Sequence, residues 1–253
     1  MRSVALAFVV LLLAAVPAFA QQWGNIKGQV VWGEASVPEA PKVNVNKDQD
    51  HCLAKGALLS NELVIDANSK GVKNVMVWLV AKDGGQIPVN PKLAAVPADK
   101  VTVDQPMCLF EPRVTMMRAG QTLVIKNSAP VTHNTRITGN NEVNGTINLT
   151  IPPGGNIQKV LKAEKRPLQL ACDIHGWMGG RIAVFDHPYF ALTDKDGNFE
   201  IKDAPAGDFL IFINHEKAGW LHTPRSSKGQ PITIPVGDTL NLGKIPMKAE
   251  YLK

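Results

Sequence analysis

Cys172, His175 and Met178 stand at even steps of three in the stretch ACDIHGWMGG, residues 171–180. Thiolate, imidazole and thioether together favour copper over harder ions. Zinc also accepts Cys and His in a tetrahedral site, but a thioether is a poor zinc ligand, so Met178 speaks for copper. A copper electron-transfer site needs two histidines and one cysteine near a common plane, with a weak, long axial methionine. The loop supplies three of these four groups, and the second histidine must come from a neighbouring strand. His133, in NSAPVTHNTRI just after the apolar run TLVIKN, is the candidate. A dinuclear copper centre would need a second cysteine in the loop, and the loop has none.

The cysteine count points the same way. Three cysteines are an odd number, and in an exported chain one is left over after pairing. Cys52 and Cys108 are the disulfide candidates in an oxidising compartment. Cys172 then remains as a thiol that must be buried, reactive or metal-bound to survive there. Export itself is read from residues 1–20, MRSVALAFVVLLLAAVPAFA. A single positive charge, an apolar run and a small-x-small exit make this a secretory signal peptide with cleavage before Gln21. No later stretch approaches the ~20 apolar residues that cross a bilayer. The expected location is periplasmic or secreted.

These donors need a scaffold, and the chain offers strands. Helical periodicity is nearly absent from its 253 residues. Short apolar or alternating runs recur instead, among them IKGQVVW, GVKNVMVWLVA, PRVTMM, GQTLVIKN, TINLTIP, PLQLAC, GGRIAVFD, NFEIKD and DFLIFIN. Gly- and Pro-bearing turns such as PPGG, DKDG and PAGD separate them. That rhythm predicts an all-β sandwich architecture. HCLAKGALLS and PKLAAVPADK read as short helices or irregular loops. A net charge of +5, without a dense Lys/Arg cluster, excludes a nucleic-acid stripe and supports at most a weak preference for acidic partners.

The run PRVTMMRAGQTLVIKNSAPVTHNTRI, followed by ACDIHGWMGGRIAVFD, resembles a cupredoxin, the small blue-copper Greek-key sandwich. The step Cys-x2-His-x2-Met is similar to the short amicyanin-type loop, whereas plastocyanin uses a longer one. The resemblance covers residues 101–186. It implies one type 1 copper ion with His133, Cys172 and His175 as equatorial ligands and Met178 as the axial one. It implies a supporting role for Asn134, hydrogen-bonded across to the cysteine loop, and a surface edge of His175 through which electrons leave. One departure is Gly176, where amicyanin has a proline. Trp177 reads either as packing under the loop or as part of a docking surface beside His175.

A second resemblance flanks the first. YFALTDKDGNFEIKDAPAGDFLIFINHEKAGW is similar to a carboxypeptidase regulatory-like, transthyretin-like β-sandwich, whose opening strands match IKGQVVW and GVKNVMVWL. The expected organisation is therefore residues 21–100 as an N-terminal β segment, 101–186 as the copper domain, and 187–253 completing the flanking sandwich. Cys108 is expected in the first cupredoxin strand, so that a bond to Cys52 would fasten the insert to its host. DKDGNFE looks like the start of a calcium loop, but Gly197 stands fourth rather than sixth, so a hairpin turn is expected. Asn144 and Asn148 lie in glycosylation sequons, a pattern that often arises by chance. His51, adjoining Cys52, reads as a solvated loop histidine rather than an accessory metal ligand, His187 before Pro188 as structural, and His215 and His222, without a spacing partner among the cysteines, as surface or core residues.

The function expected is single-electron transfer between redox protein partners, a cytochrome or an oxidoreductase, docking near His175 and Trp177. The alternatives are a copper carrier using the same ligands, or a structural β-module with a vestigial site. No Ser/His/Asp spacing, paired carboxylates or cofactor fingerprint nominates an enzyme.

Overall fold

The computed structural model describes residues 21–252, so the expected signal peptide lies outside the described residues. Along the chain run β1 (Trp23–Trp32), a four-residue helix α1 (Gln49–Cys52), β2 (Met76–Ala81), β3 (Val101–Val103), β4 (Val114–Arg118), β5 (Thr122–Lys126), β6 (His133–Thr138), β7 (Thr146–Ile151) and β8 (Asn156–Val160). There follow β9 (Leu168–Ala171), β10 (Gly179–Phe185), β11 (Phe190–Leu192), β12 (Asn198–Pro205), β13 (Gly207–His215), β14 (Gly219–Trp220), β15 (Gln230–Ile234) and β16 (Thr239–Met247). The protein is nearly all β, as the spacing of its apolar runs predicts. No helix among the described residues is long and apolar enough to cross a membrane.

Among the described residues four sheets form, ordered β12-β1-β16, β11-β2-β13-β14 with β15 on β13, β4-β10-β9-β6-β7, and β3-β5-β8. Strands β1 and β2 pair only with strands that follow residue 189, and β3–β10 pair among themselves. Strand alternation explains the layering, because successive side chains point to opposite faces. Val77, Leu79 and Ala81 of β2 face one core together with Ile26, Val30, Phe209 and Ile211. Met76 and Trp78 of the same strand face a second core, with Val114, Ala183 and Phe185. Ile182 and Val184 of β10 face a third, with Leu123, Ile125, Ile137 and Leu170. Both faces of β2 and β10 are thus covered, which is why MVWLVA in β2 and IAVF in β10 are continuous apolar runs rather than alternating ones.

Polar contacts reinforce the junction between the sandwiches. The buried Arg113 guanidinium donates to both carboxylate oxygens of Glu216 and to Asn61 Oδ1 at 2.9 Å. Paired, hydrogen-bonded geometry is what allows such a cation to be buried. Cys108 is not in a strand: it sits in the connection between β3 and β4 with φ +56°. There it is bonded to Cys52 at the end of α1, with an S–S distance of 2.01 Å. Asp194 Oδ1 accepts from the backbone N–H groups of Asp196 and Asn198 at 2.9 and 2.8 Å, so DKDG is a tight turn closed by Gly197 at φ +78°, but not the expected hairpin, because β11 pairs with β2 and β12 with β1, in different sheets.

Candidate metal centre

Sheet register brings the distant donors together. β6 lies antiparallel to β9, with Arg136 opposite Ala171 and Ile137 opposite Leu170. His133, at the start of β6, therefore lies beside the chain as it leaves β9. The Cys172–Met178 loop joins β9 to β10, whose first pair is Gly179 opposite Ala171. It is closed internally by Met178 N–H donating to the His175 carbonyl at 2.9 Å. Gly180 follows because β10 must pass against β4: a Cβ there would stand 2.5 Å from the Arg113 carbonyl oxygen. At Gly176 a Cβ would meet nothing within 4 Å.

The Cys172 sulfur lies 3.9 Å from His133 Nδ1 and 3.8 Å from His175 Nδ1. All three donor atoms lie within 4.8 Å of one another and all three residues are buried. The imidazole rings are 4.5 Å apart between centroids and tilted by 53°. These distances suit a common ion. Metal–sulfur and metal–nitrogen bonds of about 2.3 and 2.05 Å meeting at ~120° span ~3.8 Å. Met178 is buried in the same apolar cluster as Cys172, each 2 % exposed. With Cys52 and Cys108 bonded to each other, Cys172 is the remaining thiol.

Asn134 knits the site to the sheet. Its Oδ1 accepts the backbone N–H groups of Asp173 and Ile174 at 2.6 and 3.0 Å and lies 3.3 Å from the Cys172 sulfur. Its Nδ2 donates to Asn148 Oδ1 at 2.7 Å and to Asp173 Oδ2 at 3.2 Å. Arg136 and Asn148 also donate to Asp173, at 2.8 and 2.9 Å. These bonds, the Arg136 hydrogen bond most and then that of Asn148, pull the Asp173 carboxyl below its ordinary range against a small opposing effect of burial. The amide nitrogens of both sequon asparagines are engaged, Asn148 on Asp173 and Asn144 on the Lys162 carbonyl and Glu164.

Burial, then the charge of His175, pushes His133 down to about 4. Its imidazole is therefore neutral near neutral pH, the form that binds metal. Its Nε2 is buried and has no hydrogen-bond partner among the described residues. The donor set fits copper: two imidazoles, a thiol and a thioether, all on buried residues.

His175 departs from the sequence expectation. Its edge is not at the surface: the residue is 0 % exposed and its Nε2 lies 2.8 Å from Asp48 Oδ2. The covering segment carries α1 and is clipped down by the Cys52–Cys108 bond. Trp177 is half-buried, meets the His175 ring edge-on at 5.2 Å between centroids, and donates its Nε1–H to the Cys108 carbonyl at 3.0 Å. Asp48 was missed by sequence reasoning, since a loop aspartate 127 residues from its partner leaves no spacing signal. The other histidines are occupied by backbone. His51 Nε2 contacts the Pro106 carbonyl, His187 Nδ1 accepts from Tyr189, His215 Nδ1 accepts from Lys217, and His222 Nδ1 accepts from Ile213.

No protein-family model and no curated protein matches the chain. Solved structures similar to it include a purple cupredoxin from Nitrosopumilus maritimus, 19 % identical at a TM-score of 0.29 over 34 % of this chain and 100 % of that one. A copper-containing nitrite reductase from Thermus scotoductus SA-01 is 20 % identical at a TM-score of 0.31, over 39 % of this chain and 27 % of that one. An amicyanin variant in its Cu(I) form is 19 % identical at a TM-score of 0.31, over 40 % of this chain and 97 % of that one. The case for a metal at this site rests on its own donor atoms: two imidazole Nδ1 atoms that face one buried thiol.

Proposed function

We propose that this chain is an exported copper protein that passes single electrons between redox partners. His133, Cys172 and His175 would hold one copper ion, with Met178 as a weak axial ligand. The observation that carries this reading is the trio of buried donor atoms within 4.8 Å of one another. Bound copper supplies a one-electron Cu(II)/Cu(I) couple. The chain's part is to keep the donors nearly fixed and dry. Asn134 fixes the cysteine loop through two backbone N–H groups, and the surrounding apolar cluster excludes water. Hydrogen bonds that hold the ligand loop in this way set ligand orientation and tune the metal.

Burial of all three donors favours electron transfer over copper delivery, because a carrier must open its ligands to a recipient. The Cys52–Cys108 bond supports an oxidising compartment, in keeping with a cleaved leader at residues 1–20. With His175 covered, a redox protein partner would dock at the Trp177 side of the loop. The flanking strands form a carboxypeptidase regulatory-like module in this reading, serving as scaffold. Protein loaded with Cu(II) should be intensely blue, and Cys172→Ser should remove the colour while leaving a folded chain by circular dichroism. A colourless wild type, with copper and oxidant present, overturns the reading.

A further inference from the structure

The surface side of His175 is built rather than left open. We propose that Asp48 is a positioning residue for the metal centre: its carboxylate holds His175 through Nε2 and keeps that ligand's outer edge closed. The inference rests on the copper reading above and concerns a residue outside the ligand set.

Four observations carry it. Asp48 Oδ2 stands 2.8 Å from His175 Nε2, while His175 Nδ1 faces the Cys172 sulfur at 3.8 Å. One ring nitrogen is thus committed outward, and the tautomer with hydrogen on Nε2 leaves Nδ1 free to bind metal. Asp48 also sits at φ 48°, ψ 40°, a left-handed conformation, as the residue before α1. Aspartate is among the few non-glycine residues that adopt this conformation readily, and the turn it makes there directs its carboxylate at His175. Next, the disulfide that ends α1 lies against the same ligand, since the Cys52 and Cys108 sulfurs and a His175 ring nitrogen are within 4.8 Å of one another. Finally, Trp177 donates to the Cys108 carbonyl and closes the flank. The Asp48 side chain is 33 % exposed while the His175 side chain behind it is 0 % exposed, so the carboxylate lies between the ligand and solvent.

The physical consequence has a sign. A carboxylate against the imidazole adds negative charge beside the ion and makes the imidazole a stronger donor, so it stabilises Cu(II) over Cu(I). Removing it raises the reduction potential.

Two substitutions separate charge from position. Asp48→Asn keeps shape, tolerates the left-handed backbone and retains an acceptor oxygen while losing the charge. Asp48→Gly removes the side chain without backbone strain. In full-length, copper-loaded protein the potential is measured by redox titration, the Cu(II) site by electron paramagnetic resonance, and the fold by circular dichroism. Asp48→Asn should shift the copper couple at least tenfold towards Cu(I), about 59 mV for one electron. Asp48→Gly should do the same, alter the copper hyperfine pattern, and speed electron exchange with hexacyanoferrate at least threefold by uncovering the His175 edge. A blue wild type whose potential and spectra are unmoved in both folded variants overturns the role of Asp48 alone. A wild type that never turns blue overturns the copper reading and this inference with it.

Discussion

At the scale of single residues, the site is held by atoms that accept or donate more than once. Asn134 Oδ1 takes two backbone N–H groups of the cysteine loop. Asn134→Ala leaves both donors without that acceptor, and each unsatisfied group costs about 1–3 kcal/mol. The variant should melt at a lower temperature and, loaded with Cu(II), show a shifted and broadened blue band, since the cysteine backbone is no longer fixed. Unchanged melting and an unchanged spectrum would show that the amide is dispensable. Part of this was legible in advance. The three-residue steps of Cys172, His175 and Met178 are a local pattern, and a histidine after an apolar run pointed to His133. The outer contact of His175 was not legible, because Asp48 reaches it through a fold-dependent approach of two loops. Sequence reasoning that carried a surface edge over from a family resemblance had no means to see the segment that covers it.

At the scale of elements, α1 shows what the clip does. It has four residues, its first cap makes no side-chain hydrogen bond, and only Cys52 is buried. A helix this short has no intrinsic stability in water. Its position over the metal loop therefore comes from the bond to Cys108 and from packing. The crosslink closes a separation of 56 residues, which is worth about 4 kcal/mol in the chain-entropy model. Cys52→Ser combined with Cys108→Ser should lower the urea midpoint accordingly and make His175 accessible to hydrogen exchange. A double variant as stable as wild type would place the anchoring in packing alone. Most strand runs with an apolar face were readable from the sequence. Cys108 was misplaced because its neighbours Leu109 and Phe110 look like a strand, while the backbone turns through φ +56°. Strands β3, β15 and β16 escaped the sequence reading because they are short or carry interleaved Pro, Gly and Asn.

At the scale of the whole molecule, the stacked sheets bury histidines far from the metal centre, and this sets an acid limit on the fold. Burial pushes His187, packed between Phe185 and Tyr189, down to about 4, with Arg118 adding to the effect and Asp186 opposing it. Burial, then Arg113 and Lys217, does the same to His215, also to about 4. In the unfolded chain both would titrate near 6.5. Between pH 6.5 and 4 the unfolded state therefore binds more protons than the native state, so stability falls as pH falls through that window. It is fully present above 6.5, and the loss is complete once pH is below 4. A depression from 6.5 to about 4 corresponds to roughly 3 kcal/mol per histidine. The metal-free protein should lose stability steeply over this range in urea titrations at stepped pH. His187→Gln and His215→Gln should each flatten the dependence, and the double variant should flatten it further. His187 and His215 share no hydrogen-bond partner, so their effects should add. His215 carries a second consequence, because it adjoins Glu216, the partner of Arg113 across the sandwich junction. A proton on its unpartnered Nε2 would place a third positive charge beside Arg113 and Lys217. Acid should therefore loosen the junction before either core, and hydrogen exchange at pH 5 should report β4 and β13 opening ahead of β5 and β8. Simultaneous opening of all four strands would show instead that the two sandwiches unfold as one unit.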